Sequence, residues 1–152
     1  MSAIRLPDTT LLQDWLDDAA VEYYICGQCD GLHLRMLQGT QGVIDSRLFL
    51  EDYGLLLTTE LELRPAAVLQ VSADLGRLNM DYPTLKIFLD VVDEALPQLV
   101  MAAVCHCAAG ISREQFAQFL GTSLEESGRL AASCQQLDYI YSGAEPGGAM
   151  LH

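Results

Sequence analysis

Basic residues are scarce in this sequence, which has 8 lysines and arginines against 21 aspartates and glutamates and a formal net charge of −13. Nucleic-acid phosphates and anionic lipid head groups repel such a surface. Direct binding to nucleic acid or to a membrane is therefore disfavoured. We expect a protein partner that is basic or neutral.

Long apolar runs are also missing. The longest, Leu99 to Cys107, has the length of a strand, well below the roughly 18 residues that a membrane-spanning helix needs. The opening segment, Met1 to Asp8, lacks the apolar core of a signal peptide. We therefore expect a cytoplasmic protein. Its five cysteines, an odd number without an export signal, indicate reduced thiols rather than a disulfide framework.

Recognisable catalytic motifs are lacking as well. Gly39-x-x-Gly42 has neither the lysine nor the following helix of a phosphate-binding loop. The histidines have no serine, cysteine or aspartate at a catalytic spacing; they are His33, His106 and His152. Glu60 and Glu62 could form an acid–base or metal-binding pair, but their spacing is more typical of the solvent-facing side of a strand. The sequence does not predict an enzyme.

The clearest pattern present is a pair of strands between Gly42 and Arg64. In the second strand, apolar residues and Thr59 alternate with polar residues, which is typical of a half-buried strand. Glu51 to Gly54 supplies turn residues between the two. The side predicted to face the core comprises Leu55, Leu57, Thr59, Leu61 and Leu63, and the opposite side comprises Leu56, Thr58, Glu60, Glu62 and Arg64.

Three helices are predicted around these strands. The first follows Asp8, with Trp15 in its apolar face, and the last begins at Ser112, which has the capping-box spacing to Gln115. A break of the last helix near Gly121 is an alternative. The middle helix begins at Pro65, and its apolar face is predicted to comprise Val68, Leu69, Ser72, Leu75 and Leu78.

Further short strands complete an α+β fold, an antiparallel sheet covered by helices in the order α-β-β-β-β-α-β-β-α. In the strand from Leu32 to Met36, Leu32, Leu34 and Met36 are expected to point inward and His33 outward. A hydrophobic share of 51% is typical of a globular chain. We expect residues 1–141 to form one domain and residues 142–152 a flexible tail.

Two cysteine pairs are candidate metal ligands. Cys26-x-x-Cys29 and Cys105-His-Cys107 could together supply four thiolates to a zinc ion, although C-x-C on a strand is an unusual zinc pair. Alternatively, Cys105 is buried and the other cysteines have no special role. A redox C-x-x-C is a third possibility, but that motif normally opens a helix, whereas Cys26 and Cys29 lie between predicted strands.

Many short blocks, in the same order from about Leu11 to Glu126, resemble the YbjN family of bacterial proteins. The ending, Leu151-His152, is similar too. The blocks are Leu12-Gln-Asp-Trp-Leu-Asp-Asp18, Cys26-Gly-Gln-Cys-Asp-Gly-Leu-His-Leu34, Gly42-Val-Ile-Asp45, Pro65-Ala-Ala-Val-Leu69, Ala73-Asp-Leu75, Thr84-Leu-Lys-Ile-Phe-Leu-Asp90, Leu96-Pro-Gln-Leu-Val100 and Glu114-Gln-Phe116.

This resemblance implies a fold like that of the type III secretion chaperones, which are small, acidic and often dimeric proteins that bind an extended effector segment without ATP. It also implies a regulator of sensory transduction, connected with stress responses, motility, biofilm and exopolysaccharide. It supplies no catalytic residue and no cofactor. The blocks include Cys26 and Cys29 but do not clearly extend to Cys105 and Cys107.

The leading hypothesis is thus a non-enzymatic cytoplasmic regulator or adaptor that binds another protein, and a homodimer is one of the assemblies that we expect. An open sheet edge can accept a partner strand. Candidate contact residues on the outer sheet face are Leu56, Thr58, Glu60 and Glu62. The alternative hypothesis is a zinc-binding or thiol-switch module built on Cys26 and Cys29.

Overall fold

The computed structural model describes residues 3–143, in which one antiparallel sheet carries three helices on a single face. The element order confirms the predicted α+β fold. The predicted tail lies outside the described residues except for positions 142 and 143. The elements are α1 (Thr9–Asp18), β1 (Tyr23–Tyr24), β2 (Leu32–Leu34), β3 (Val43–Glu51), β4 (Gly54–Glu62), α2 (Val68–Asp81), β5 (Lys86–Asp90), β6 (Gln98–His106) and α3 (Arg113–Gln136), with a 3₁₀ turn (Pro65–Ala67) before α2.

The six strands lie in the order β1-β2-β3-β4-β6-β5, and every neighbouring pair is antiparallel. β3 and β4 form the predicted hairpin, with Asp52 and Tyr53 in the turn. β6 pairs with β4 along its full length, from Gln98 opposite Glu62 to His106 opposite Gly54. The short strand β5 therefore lies at one edge, outside β6.

The period-two pattern of β4 is confirmed. Its inner residues, Leu55, Leu57, Thr59 and Leu61, are buried, as is Leu63 just beyond the strand. The one polar side chain among them has a partner, because the Thr59 hydroxyl lies 3.0 Å from that of Ser46 on β3. Burial of these hydroxyls therefore leaves neither without a hydrogen bond.

The helix-covered face forms two hydrophobic clusters. One lies beneath α2 and the second half of α3, around Leu61, Val71 and Leu130. The other lies beneath α1 and the first half of α3, where the Trp15 and Phe116 rings are 5.4 Å apart. Trp15 is thus a core residue, as its helical spacing predicted. No helix among residues 3–143 is long and apolar enough to cross a membrane.

The predicted apolar face of α2 is partly wrong. Leu69 is 84% exposed, whereas Val71, which was not assigned to this face, is buried. The 3₁₀ turn that precedes α2 buries Ala67, and the inward row then continues through Val71 to Leu78. Residues four and seven positions apart share a helix face, whereas Leu69 is two positions from Val71 and nine from Leu78 and therefore lies on the opposite side.

The alternative of a broken last helix is also wrong, since α3 runs without interruption through Gly121 and Gly128. The capping box is present, with the Ser112 hydroxyl accepting from the Gln115 N–H and the Gln115 side chain accepting from the Ser112 N–H. The two halves of the helix pack on different hydrophobic clusters. This packing outweighs the roughly 1 kcal/mol that each interior glycine costs.

Candidate functional site

The outer face of the sheet carries no helix within residues 3–143, because all three helices pack on the inner face. The four predicted partner-contact residues lie on this outer face and are half-buried. Their side chains alternate with the buried ones of β4. These residues are Leu56, Thr58, Glu60 and Glu62.

The carboxylates on this face have different surroundings. Glu60 accepts a hydrogen bond of 2.7 Å from the Arg47 guanidinium on β3, so it is neutralised within the sheet. Glu62 lies further along β4, where its strand neighbour is Gln98 on β6, which in turn pairs with Asp90 on β5. Glu60 is thus paired with Arg47, whereas the acidic part of this face lies around Glu62 and Asp90.

An apolar row crosses the outer face from β3 to β6. Phe49 lies opposite Leu56, and Leu56 lies opposite Val104. Cross-strand partners point to the same side of a sheet. Val104 is 44% exposed at the end of this row, so the row ends in an accessible apolar side chain.

The outer edge of β5 is closed at its centre by a side chain of α2. The Asn79 amide group donates to the Ile87 carbonyl at 3.0 Å, and the Asn79 side-chain oxygen accepts from the Ile87 N–H at 3.0 Å. This pair of hydrogen bonds takes the place of a neighbouring strand. The Ile87 N–H and C=O are therefore not available to a further strand on this side of β5.

The end of β6, by contrast, has no strand on its outer side within residues 3–143. β5 begins at Lys86, opposite Ala102, so its pairing stops there. Because the backbone groups of Ile87 point away from β6, those of Lys86 and Ala102 point toward each other. Backbone N–H and C=O groups point to alternate sides along a strand. Those of Val104, two residues after Ala102, therefore point to the same side as those of Ala102, where no strand within residues 3–143 lies next to Val104.

A groove of about 440 Å³ lies beside this open end, between β6 and the first half of α3. Its lining is mixed apolar and amide or hydroxyl in character. The lining residues are Thr84, Ala103, Val104, Gln115, Gln118, Phe119, Thr122 and Ser123.

A second site lies at the other end of the sheet, in the turn between β1 and β2. The Cys26 and Cys29 sulfur atoms are 3.5 Å apart, and the Cys29 sulfur is 3.4 Å from Nε2 of His33 on β2. The ligand atoms of all three residues lie within 4.8 Å of one another. Gly27 has a φ of 80°, a conformation that glycine adopts without strain.

Asp45 on β3 orients this histidine. Its Oδ2 lies 2.9 Å from Nδ1 of His33, and its Oδ1 accepts hydrogen bonds from the Gln38 amide and the Ser46 N–H. The Tyr24 ring stacks on the imidazole at 4.7 Å. The imidazole is therefore held from two sides.

The pKa of the Cys26 thiol is lowered to about 6, mainly because the Gln28 N–H donates to the sulfur at 3.3 Å. Hydrogen bonds with His33 and Cys29 lower this pKa further. Cys26 is exposed. At neutral pH this thiol is largely a thiolate, the form that attacks electrophiles and binds metals.

The structure does not bring Cys105 and Cys107 to this site, so the four-cysteine arrangement is not formed. Cys105 lies opposite Leu55 and shares its helix-covered face, and Cys107 is buried in the cluster beneath α1. His33 lies opposite Arg47, on the outer face. Burial, with the neighbouring Cys105, raises the pKa of Cys107 to about 11.

Sequence reasoning missed His33 and Asp45 as members of this group. His33 was expected on the outward face, which is correct. Its side chain is nevertheless buried there by Tyr24, Asp45 and the turn that carries Cys26 and Cys29. The signal was present in the spacing of Cys26, Cys29 and His33. The contribution of Asp45 depends on strand pairing and has no local signal.

Comparison with known proteins agrees with this fold. The model of the YbjN family, described as "Putative bacterial sensory transduction regulator", matches residues 8–136. The chain belongs to the YbjN family. The YbjN proteins of Escherichia coli K12 and of Shigella flexneri are each 37% identical over 126 residues, covering 83% of this chain and 80% of the relative.

A crystal structure of Escherichia coli YbjN, described there as "a putative transcription regulator", superposes with a TM-score of 0.88 at 33% identity. The match covers 91% of this chain and 99% of the other. The chain therefore has the YbjN fold, and its family is described as regulatory. The likeness to secretion chaperones stays a prediction.

Proposed function

We propose that this YbjN-family protein is a regulatory adaptor that binds an extended basic segment of a partner protein, without catalysing a reaction. The partner segment adds as a strand beside Val104–His106. The observation that supports this function is the unpaired end of β6, with a groove along it and an apolar row leading to it.

In this binding mode the partner would present two rows of side chains. In an added strand, alternate side chains point to opposite faces of the sheet. One set would lie next to Val104 and extend the row of Phe49 and Leu56 on the outer face. The other set would enter the groove beside Phe119, whose ring is partly buried against both hydrophobic clusters.

The negative charge of this protein favours a basic partner segment. The net charge of −13 attracts a cationic chain over long range and repels nucleic acid. In this proposal, regulation of transcription, the role described for the Escherichia coli relative, would pass through a bound protein. The adaptor acts in the cytoplasm, in stress, motility, biofilm or exopolysaccharide control, as the family resemblance implies.

A synthetic peptide of four Lys-Val repeats tests the binding mode. We expect titration with this peptide to protect the Val104 and His106 amides from hydrogen exchange. A Glu-Val peptide of the same length has the opposite charge and should not bind. A Lys-Val peptide with central prolines lacks the backbone donors that strand pairing needs and should lose binding at least tenfold.

Val104→Lys places a positive charge at the open end and should weaken binding of the basic peptide at least tenfold. Leu69→Lys, at an exposed position on α2, is the matched control and should bind as the unmodified protein does. Equal affinities of the two variants would refute the proposed site, as would amide protection confined to another surface. A dimer in native mass spectrometry that dissociates with Val104→Lys would assign this edge to a second copy.

A further inference from the structure

Cys26 and Cys29, in the β1–β2 turn, form a cluster with His33 that the proposed partner binding does not use. Its three potential ligands come from the β1–β2 turn and from β2, whereas the open end of β6 belongs to the opposite half of the sheet. We infer that Cys26, Cys29 and His33 bind one zinc ion through two sulfurs and the imidazole Nε2.

The distances agree with a tetrahedral ion. Zinc–sulfur bonds of about 2.3 Å and zinc–nitrogen bonds of about 2.0–2.1 Å imply ligand–ligand separations of about 3.5–3.8 Å. The Cys26–Cys29 sulfur separation is 3.5 Å, and the Cys29 sulfur lies 3.4 Å from Nε2 of His33. Two of the three separations thus fit a zinc ion, and all three ligand atoms lie within 4.8 Å of one another.

Asp45 sets the correct tautomer of the histidine. A carboxylate can only accept hydrogen bonds, so the Nδ1 atom that faces Asp45 at 2.9 Å carries the proton. In neutral imidazole the other nitrogen, Nε2, then has a free lone pair, and it faces Cys29. A histidine ligand held by a carboxylate in this way is a common feature of zinc sites.

The surroundings also favour thiolate ligands. The Gln28 N–H donates to the Cys26 sulfur, and the positive charge of Arg47 lies close to Cys29. Thiolate sulfur is a soft ligand and imidazole nitrogen a borderline one, and this set favours zinc over magnesium or calcium, which prefer oxygen ligands. Cys26 is exposed, and the fourth ligand of a tetrahedral ion would be a water molecule or a donor from a partner.

The test measures metal in the protein itself. The full chain is produced in zinc-supplemented medium and purified with a reductant and without chelator, and native mass spectrometry counts bound zinc. We expect about one zinc per chain. Replacement by cobalt(II) should give the sulfur-to-cobalt charge-transfer band and the visible bands of a tetrahedral ion.

Variants assign the ligands. Cys26→Ser and His33→Ala should each abolish stoichiometric zinc, whereas Cys105→Ser and His106→Ala, which change the same residue types outside the cluster, should retain it. Asp45→Asn leaves all three ligands in place and should weaken zinc affinity about 10- to 100-fold, because the histidine loses its orienting carboxylate.

Several results would overturn the zinc site. The first is less than a tenth of an equivalent of zinc in the reduced protein together with no cobalt spectrum. The second is unchanged zinc content in Cys26→Ser and His33→Ala. A zinc-free chain with a Cys26–Cys29 disulfide, 2 Da lighter, would identify the pair as a thiol couple instead.

Discussion

Cys26 and Cys29 lie in a surface turn beside a histidine, whereas Cys105 and Cys107 lie at the end of β6 against the helix-covered face. In the turn, hydrogen bonds lower the pKa of Cys26 to about 6. On the inner face, burial raises the pKa of Cys107 to about 11. Both pairs looked like metal ligands in the sequence. Their different surroundings show that the environment of a thiol, more than its spacing, decides its chemistry.

The largest difference should appear in thiol reactivity. In the reduced, metal-free protein at pH 7, iodoacetamide should modify Cys26 at least about 10³-fold faster than Cys107, because Cys26 is exposed and largely ionised while Cys107 is buried and protonated. Peptide mapping of timed, quenched samples measures both rates. Rates within tenfold of each other would contradict the contrast between the two environments.

The second largest difference should appear in the cost in stability of replacing a glycine beside each cysteine pair with alanine. A methyl group on Gly54 would lie 2.0 Å from the Cys105 carbonyl oxygen, a backbone atom that cannot move aside. Gly54→Ala should therefore lower the free energy of unfolding by about 3 kcal/mol or more.

Gly27→Ala is the matched change in the turn that carries Cys26. Gly27 also has a positive φ, but its added methyl group would meet no atom within 4 Å, so the cost should be about 1 kcal/mol from backbone strain alone. Urea unfolding of the metal-free proteins measures both. Equal costs would show that the close approach of the backbone beside Cys105 is not maintained in solution.

Alkaline pH should destabilise the protein through its buried thiols. Burial raises the pKa of Cys134 to about 12 and that of Cys107 to about 11. A raised folded-state pKa gives stability that is fully present below the unfolded value, near 9, and is lost as pH rises toward the folded value. Each thiol can thus contribute a loss of up to about 1.4 kcal/mol per pH unit between pH 9 and 11.

Urea unfolding at pH 8, 9, 10 and 11 measures this loss. Cys134→Ala removes one of the two thiols and should make the decline with pH shallower. The exposed Cys26 supplies the matched control, because Cys26→Ala should leave the decline above pH 9 unchanged. An identical decline in Cys134→Ala and in the unmodified protein would contradict the assignment to Cys134.

The smallest expected difference is in the free energy of unfolding when a core cysteine and a surface cysteine are each replaced by serine. Cys134 is fully buried in α3, so Cys134→Ser places a hydroxyl in an apolar cluster and should cost about 1–3 kcal/mol. Cys26→Ser in the metal-free protein should change the free energy of unfolding by less than about 0.5 kcal/mol. Chemical denaturation in the presence of EDTA measures both, and equal costs would contradict the assigned environments.

Much of the fold could be predicted from local sequence. The alternation in β4, the Asp8 and Ser112 caps and the order of elements are properties of neighbouring residues, and the structure confirms them. The apolar face of α2 was predicted only in part, because Leu69 was grouped with Leu78 although nine residues at about 100° each place these two on opposite sides of the helix.

The candidate sites depended on tertiary structure. His33 meets Asp45 only because β2 pairs with β3, and the open end of β6 exists only because β5 begins opposite Ala102. The sequence by itself determined periodicity, capping and charge, since these act between residues close in the chain. Strand pairing alone decided which distant side chains meet and which backbone groups stay open, because register joins segments that no local pattern connects.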